Sequence, residues 1–187
     1  MRKYLPAVLF LTFFFGFLTF QLCRDVYSNL AEKTVVSVTK TEIFEKWFNN
    51  FNGKDLNGIE IKLAEVKDKV VVLNFWATWC APCKKEFPSL NRLETKYKNK
   101  GVFFLGLNFD SENAQNSIRK FESEVGIQFP TISDPLNKTL KDLGLNTLPL
   151  TLIFHNKKLI YQNDVFTNFD DQKIIDLIEN ALRNTSK

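Results

Sequence analysis

Hydrophobic and polar positions divide this chain into one long apolar run and a series of shorter segments, each with its own period. From Leu5 to Leu22 no residue is charged and most are Leu or Phe. A helix of that length, at about 1.5 Å per residue, reaches roughly 27 Å, close to the ~30 Å hydrocarbon core of a bilayer. Its hydrophobicity runs all the way round, which excludes a one-sided globular helix. The pattern predicts a single N-terminal transmembrane helix within 1–23. Residues 24–40 mix charged, polar and β-branched side chains without a sustained period and read as a linker. Residues 41–187 carry the periodic segments of a folded domain.

Within that domain, "TEIFEKWFNNF" places apolar residues at 43, 44, 47, 48 and 51, the spacing of a short amphipathic helix that caps the structure. "DLNGIEIKL" has a turn at Asn57-Gly58 and then alternates at Ile59, Ile61 and Leu63, as one arm of a hairpin does. "KVVVLNFW" is a continuous apolar run rich in β-branched residues and reads as a central strand covered on both faces. Cys80 to about Tyr97 is helical in pattern, with Phe87, Leu90, Leu93 and Tyr97 on one stripe and a kink expected at Pro88. There follow a second buried strand, "GVFFLGLNF", and a helix closed by Gly126. A short extended "PTISD" and a short helix ending at Gly144 come next. A strand "LTLIF", a turn "HNKK", its hairpin partner "LIYQND" and an acid-started closing helix complete the domain. The order predicts an α/β fold, a central mixed sheet flanked by helices.

Charge changes this picture little. The net charge is +4, but Lys and Arg are scattered rather than gathered into a block, so nucleic acid is not an expected partner. Arg2 and Lys3 precede the apolar run, which by the positive-inside rule puts the N-terminus in the cytoplasm and the domain outside it. No A-x-A-like cleavage site stands between Phe17 and Ser28, and Phe20, Gln21 and Leu22 are not the small residues that lipoprotein processing at Cys23 prefers. An uncleaved anchor is the reading.

Outside the cytoplasm disulfides persist, and of the three cysteines only Cys80 and Cys83 fall in the domain. Three chemistries compete for Cys80-Ala81-Pro82-Cys83. Structural zinc needs four ligands, and one cysteine pair with the single His155 does not supply them within one chain; no metal is expected. A static disulfide would close only a tiny loop and add little stability. A redox pair fits the position: a cysteine in the first turn of a helix faces unpaired N–H groups and the positive end of the dipole, which stabilise its thiolate. Cys80 is then the attacking sulfur. Cys83, one turn deeper, is the resolving one.

Phe75-Trp76-Ala77, Trp79-Cys80, Pro82-Cys83 and Pro88 together resemble the active-site segment of the thioredoxin superfamily, and residues from about 40 to 183 follow that fold's element order. Thr147-Leu148-Pro149-Leu150-Thr151 is similar to the family's cis-proline loop. The resemblance implies that Pro149 is cis, that it packs beside Cys80, and that the Leu148 backbone pairs with an extended substrate. The anchor, the added hairpin and the segment "ENAQNSIRKFESEVGIQFPTISD" are similar to membrane-tethered relatives of the TlpA and ResA type. Asn74 stands where cytoplasmic thioredoxin carries a buried aspartate, and Asn exchanges no proton at neutral pH. Glu86 matches an acidic residue of the ResA-like group. It is either a tuner of the cysteines and a proton carrier or a solvated residue beside Lys84 and Lys85. Trp79 shields the disulfide or meets substrate; Phe75 and Trp76 read as core; His155 falls in a turn and is assigned no chemistry.

The function expected from the resemblance is that of an extracytoplasmic, membrane-anchored thiol–disulfide oxidoreductase that reduces protein disulfides without a cofactor. A transmembrane electron donor would recharge it, and apocytochrome c is one implied client. Ala81-Pro82 lacks the histidine that strongly oxidising relatives often carry between their cysteines, which favours a reducing pair. A peroxiredoxin-like enzyme and a redox-inert binding or chaperone module are the alternatives. A peroxiredoxin would need its cysteine in a Pro/Thr-lined loop instead of a C-x-x-C helix start.

Overall fold

The computed structural model describes residues 5–184, with the side chains of 13–24 and 40–184. Arg2, Lys3 and the side chains of 5–12 and 25–39, on which part of the expected anchor and linker rest, lie outside the described residues. The chain divides into two compact units, Met1–Glu42 and Ile43–Lys187.

The first helix, α1, runs over Leu5–Asn50. The stretch 24–40, read as a linker, lies within this helix: no Gly or Pro stands between Gly16 and Gly53, so nothing in the sequence stops the helix there. In the first unit Phe13, Phe15, Phe17, Leu18, Phe20 and Leu22 are exposed. Among the described residues no helix is long and apolar enough to cross a membrane.

The second unit begins with the last turns of α1, where Phe44 and Phe48 are fully buried. Phe48 lies against Phe154 with ring centroids 4.4 Å apart. Glu45 ties this end down by accepting from Lys158 Nζ at 2.7 Å and the Leu159 N–H at 3.3 Å. An antiparallel hairpin follows, β1 (Asn52–Lys54) and β2 (Glu60–Lys62), with Gly53 opposite Ile61. Its turn is closed by Asp55, whose Oδ1 accepts from the Asn57 and Ile59 N–H groups, and Gly58 takes the positive φ of 82° that the reversal needs. This is the hairpin extension expected before the central strand.

The main sheet is built on β3 (Val70–Trp76), in which every residue is buried. β4 (Val102–Asn108) and then β5 (Thr131–Ser133) pair parallel on one side, while β6 (Leu150–His155) and β7 (Lys158–Asn163) pair antiparallel on the other. The order is β5-β4-β3-β6-β7, a mixed sheet with the apolar run "VVVLNFW" at its centre, as its composition predicts. The period of two sends Val70, Val72 and Trp76 to one face, in a core with α2 (Ala81–Tyr97), α3 (Gln115–Val125) and α5 (Gln172–Arg183). Val71, Leu73 and Phe75 go to the other, with the end of α1 and with Leu140 of α4 (Lys138–Asp142). Gly126 closes α3 in the left-handed conformation, at φ 77°. Asp171 caps α5 by accepting the Lys173 N–H at 2.9 Å. Pro88 lies inside α2.

Because Phe48 is only 1% exposed and fills the space beside Phe154, Phe48→Ala should cost about 3–5 kcal/mol in urea unfolding of the chain. A loss below about 1 kcal/mol would show that this segment is an appended cap and no part of the core.

Candidate active site

The buried strand β3 ends at Trp76, and after three intervening residues the chain opens a helix at Cys80. Cys80 is the N-cap of α2, with extended backbone (φ −83°, ψ 96°), and Pro82 occupies the first turn where no intrahelical N–H bond is lost. Its Sγ accepts the Cys83 N–H at 3.2 Å. The two cysteines form a disulfide with Cα atoms 5.3 Å apart. Cys80 is 4% exposed and Cys83 not at all, so the outer sulfur is the one a partner can approach. Trp79 beside them is 70% exposed, whereas Phe75 and Trp76 are core, as read. Trp76 packs edge-on to Phe87 and stacked on Phe121.

The Leu148–Pro149 peptide bond is cis. Phe75 of β3 faces Leu150 of β6 in the ladder, which sets the Leu148-Pro149 pair at the end of the sheet from which the Ala77–Cys80 loop leaves. Pro149 is buried; Leu148 is half-buried and packs against the core that holds both cysteines. His155 faces Val70 at the opposite end of the sheet, away from the disulfide. A groove of about 850 Å³ also lies elsewhere, between the end of α1, the hairpin and β5, lined by Trp47, Phe51, Lys54 and Ile132 among others.

Glu86, one turn past Cys83, is 1% exposed, which excludes the solvated alternative, while its neighbours Lys84 and Lys85 face solvent. Helical spacing turns residue 86 inward against β3, where the period of two puts Asn74 on the same face as Val72 and Trp76. Asn74 Nδ2 donates to Glu86 Oε2 at 3.2 Å, and the Thr167 N–H donates to Oε1 at 2.6 Å. Burial disfavours the charged form and pushes the carboxyl up from 4.5 to about 7, against these two bonds, which pull it down.

Sequence reasoning missed the groups that hold this site. Thr167 was not singled out, because its partner is 81 residues away. Asp110 was missed too: it is 3% exposed and accepts from the Thr78 N–H and hydroxyl in the loop before Cys80. A signal was present in "LNFD", two polar residues closing a buried strand, where a polar side chain needs a partner.

With folded pKa above unfolded, Glu86 favours the native state fully below about pH 4.5, and that contribution is lost as pH rises through about 7. Wild type should therefore lose up to about 3 kcal/mol between pH 5 and pH 8. Glu86→Gln, neutral throughout, should lose correspondingly less in thermal melts at the two pH values. Identical pH dependence in both proteins would remove the buried titration.

The AhpC/TSA family pattern matches residues 45–163. A Bacillus anthracis protein called thiol-disulfide oxidoreductase ResA is 40% identical over 114 residues, 60% of this chain and 65% of that protein. The chain thus spans just under two thirds of that relative's length. A protein of the same name from Bacillus thuringiensis subsp. konkukian is 36% identical over 141 residues, 75% of this chain and 80% of its own length. In structure the chain is similar to a putative thiol:disulfide interchange protein DsbE from Chlorobium tepidum, with a TM-score of 0.63 and 30% identity over 71% of this chain and 92% of that one. StoA from Bacillus subtilis, at 24% identity, a TM-score of 0.56 and coverage of 66% and 92%, shares the fold.

Proposed function

The chain belongs to the AhpC/TSA family, in company with proteins named thiol-disulfide oxidoreductase ResA, and from that membership and the geometry at Cys80 we propose that it reduces protein disulfides. The observation that carries the reading is the helix start itself: a nearly buried N-cap sulfur facing the Cys83 N–H and bonded to a fully buried partner three residues on. A thiolate at Cys80 would be held by that N–H and by the helix dipole. The paired helix start favours disulfide exchange over hydroperoxide reduction, which calls for a single cysteine in a loop.

In the reduced pair, Cys80 thiolate attacks one sulfur of the substrate disulfide, and the other leaves as a thiolate and takes up a proton. Cys83, losing its proton, then attacks Cys80 Sγ, closes the Cys80–Cys83 bond and frees the second substrate thiol. Two electrons and two protons have passed to the substrate. Glu86, whose carboxyl lies near neutrality one turn from Cys83, is the group we assign to carry the proton. Leu148, with its backbone beside cis Pro149, would pair with an extended substrate, and exposed Trp79 stands on the approach. The client class is a protein with accessible disulfides, such as an apocytochrome c with oxidised haem-attachment cysteines.

Removing Cys83 removes the resolving step, so Cys83→Ser should accumulate reductant-sensitive mixed disulfides on Cys80 in cells. The double variant lacking Cys80 should show none. Absence of adducts from a folded, exported Cys83→Ser protein would count against a protein-disulfide substrate and favour a redox-inert module.

We assign residues 1–23 to a membrane anchor, 24–40 to the connection and 41–187 to the thioredoxin-like domain, held outside the cytoplasm. Arg2 and Lys3 before an uncharged run support this, as do the exposed phenylalanines at 13, 15, 17 and 20. Recharging would then come from a membrane protein able to move electrons outward. Cell fractionation with a C-terminal reporter should recover the full-length protein in the membrane; a shortened soluble form would replace the anchor with a cleaved signal.

A further inference from the structure

Between the last buried residue of β3 and the disulfide the chain makes a short turn, Ala77 to Cys80, closed by the Cys80 N–H donating to the Ala77 carbonyl at 3.1 Å. Trp79 in this turn is 70% exposed and gives it little packing. What holds it laterally is Asp110, 32 residues on, just past β4. The Thr78 N–H donates to both Asp110 oxygens at 3.2 Å, and the Thr78 hydroxyl donates to Oδ1 at 3.0 Å. Asn108 completes the arrangement in both directions: its Nδ2 donates to Asp110 Oδ2, and its Oδ1 accepts the Asp110 N–H, each at 3.0 Å. Asn108 is fully buried and its carbonyl accepts the Asp134 N–H at 2.8 Å, so the clamp is itself anchored. The Phe109 N–H donates to the Trp76 carbonyl at 3.0 Å, extending the join between the two strand ends.

We propose that Asp110 is a positioning residue for the redox pair: by holding Thr78 it fixes the turn that presents Cys80 Sγ to the start of α2. The inference rests on the reading of Cys80 and Cys83 as a working pair. Hydrogen bonds to a charged acceptor are roughly twice as strong as neutral ones, and a buried carboxylate left without donors is costly, so this group resists release. The benefit to the chemistry is geometric. The Cys83 N–H meets Cys80 Sγ at 3.2 Å, a close approach for a bond to sulfur, and a turn free to drift by about an ångström would lose that contact and with it part of the thiolate's stabilisation. Thr78 is two residues from Cys80, near enough for its placement to be transmitted through the backbone.

The test is the pH profile of Cys80 alkylation by iodoacetamide in the reduced full-length protein, with melting temperatures taken in parallel. Thr78→Val keeps the shape and the Asp110 charge but removes the hydroxyl bond. It should slow alkylation near pH 7 by about threefold, what a shift of about half a unit in the profile produces below its midpoint. Thr78→Ser, which restores the hydroxyl, should stay within about twofold of wild type. Asp110→Asn should slow it as well, although loss of a negative charge alone would speed it. A clamp that serves stability alone would lower the melting temperature of Thr78→Val and leave its alkylation profile on the wild-type curve, and that result would overturn the proposal. So would an unchanged or faster Cys80 in Asp110→Asn. Failure of the underlying redox reading looks different: wild-type Cys80 would then alkylate no faster than a cysteine in an unstructured peptide.

Discussion

Burial of Val70–Trp76 on both faces, together with pairing along both edges, is the constraint from which the rest of the domain follows. A strand with no solvent face needs apolar cover above and below, and here the end of α1 and α4 supply one layer while α2, α3 and α5 supply the other. Parallel β4 carries its chain away at the same end of the sheet and antiparallel β6 receives its chain there, so the loops after β3 and β4 and the Leu148-Pro149 approach to β6 converge at that end. The disulfide is placed by that convergence. The helix that begins at Cys80 starts where it does because the strand before it must end at Trp76.

The polar groups near the site are set into this apolar frame, and each is tied by donors from distant elements. Glu86 lies under α2 with bonds from Asn74 and the Thr167 backbone, too few to offset its burial, so it titrates near neutrality. Asp110 gathers both Thr78 donors and the Asn108 amide. The two carboxyls thus suit different work. One is placed to exchange a proton one turn from the inner cysteine; the other holds the turn that carries the outer one.

Most of the fold was legible in the chain. The alternation in "GIEIKL", the unbroken apolar run "VVVLNFW" and the glycine stop at 126 each report a local cause, whether solvent on one side, cover on both, or a backbone that must turn left-handed. The hairpin, the central strand and the C-cap of α3 stand where these cues put them. The helical backbone of the 24–40 linker has no amphipathic period to announce it, and the absence of Gly and Pro is what lets the helix continue there. Glu86 stayed ambiguous for a similar reason: two flanking lysines look like a solvated surface, while helical phase alone turns residue 86 toward β3.

Local sequence by itself determined the element types, the cysteine spacing and the helix start that makes Cys80 the outer sulfur, because these depend on interactions within a few residues. Tertiary structure decided which carboxyls are buried and what they hold. Glu86 meets Thr167 across 81 positions and Asp110 meets Thr78 across 32, and no local period encodes such a contact. It arises when parallel and antiparallel neighbours bring the ends of β3, β4 and β6 together, where a side chain with no water nearby must find its hydrogen-bond partner in another part of the chain.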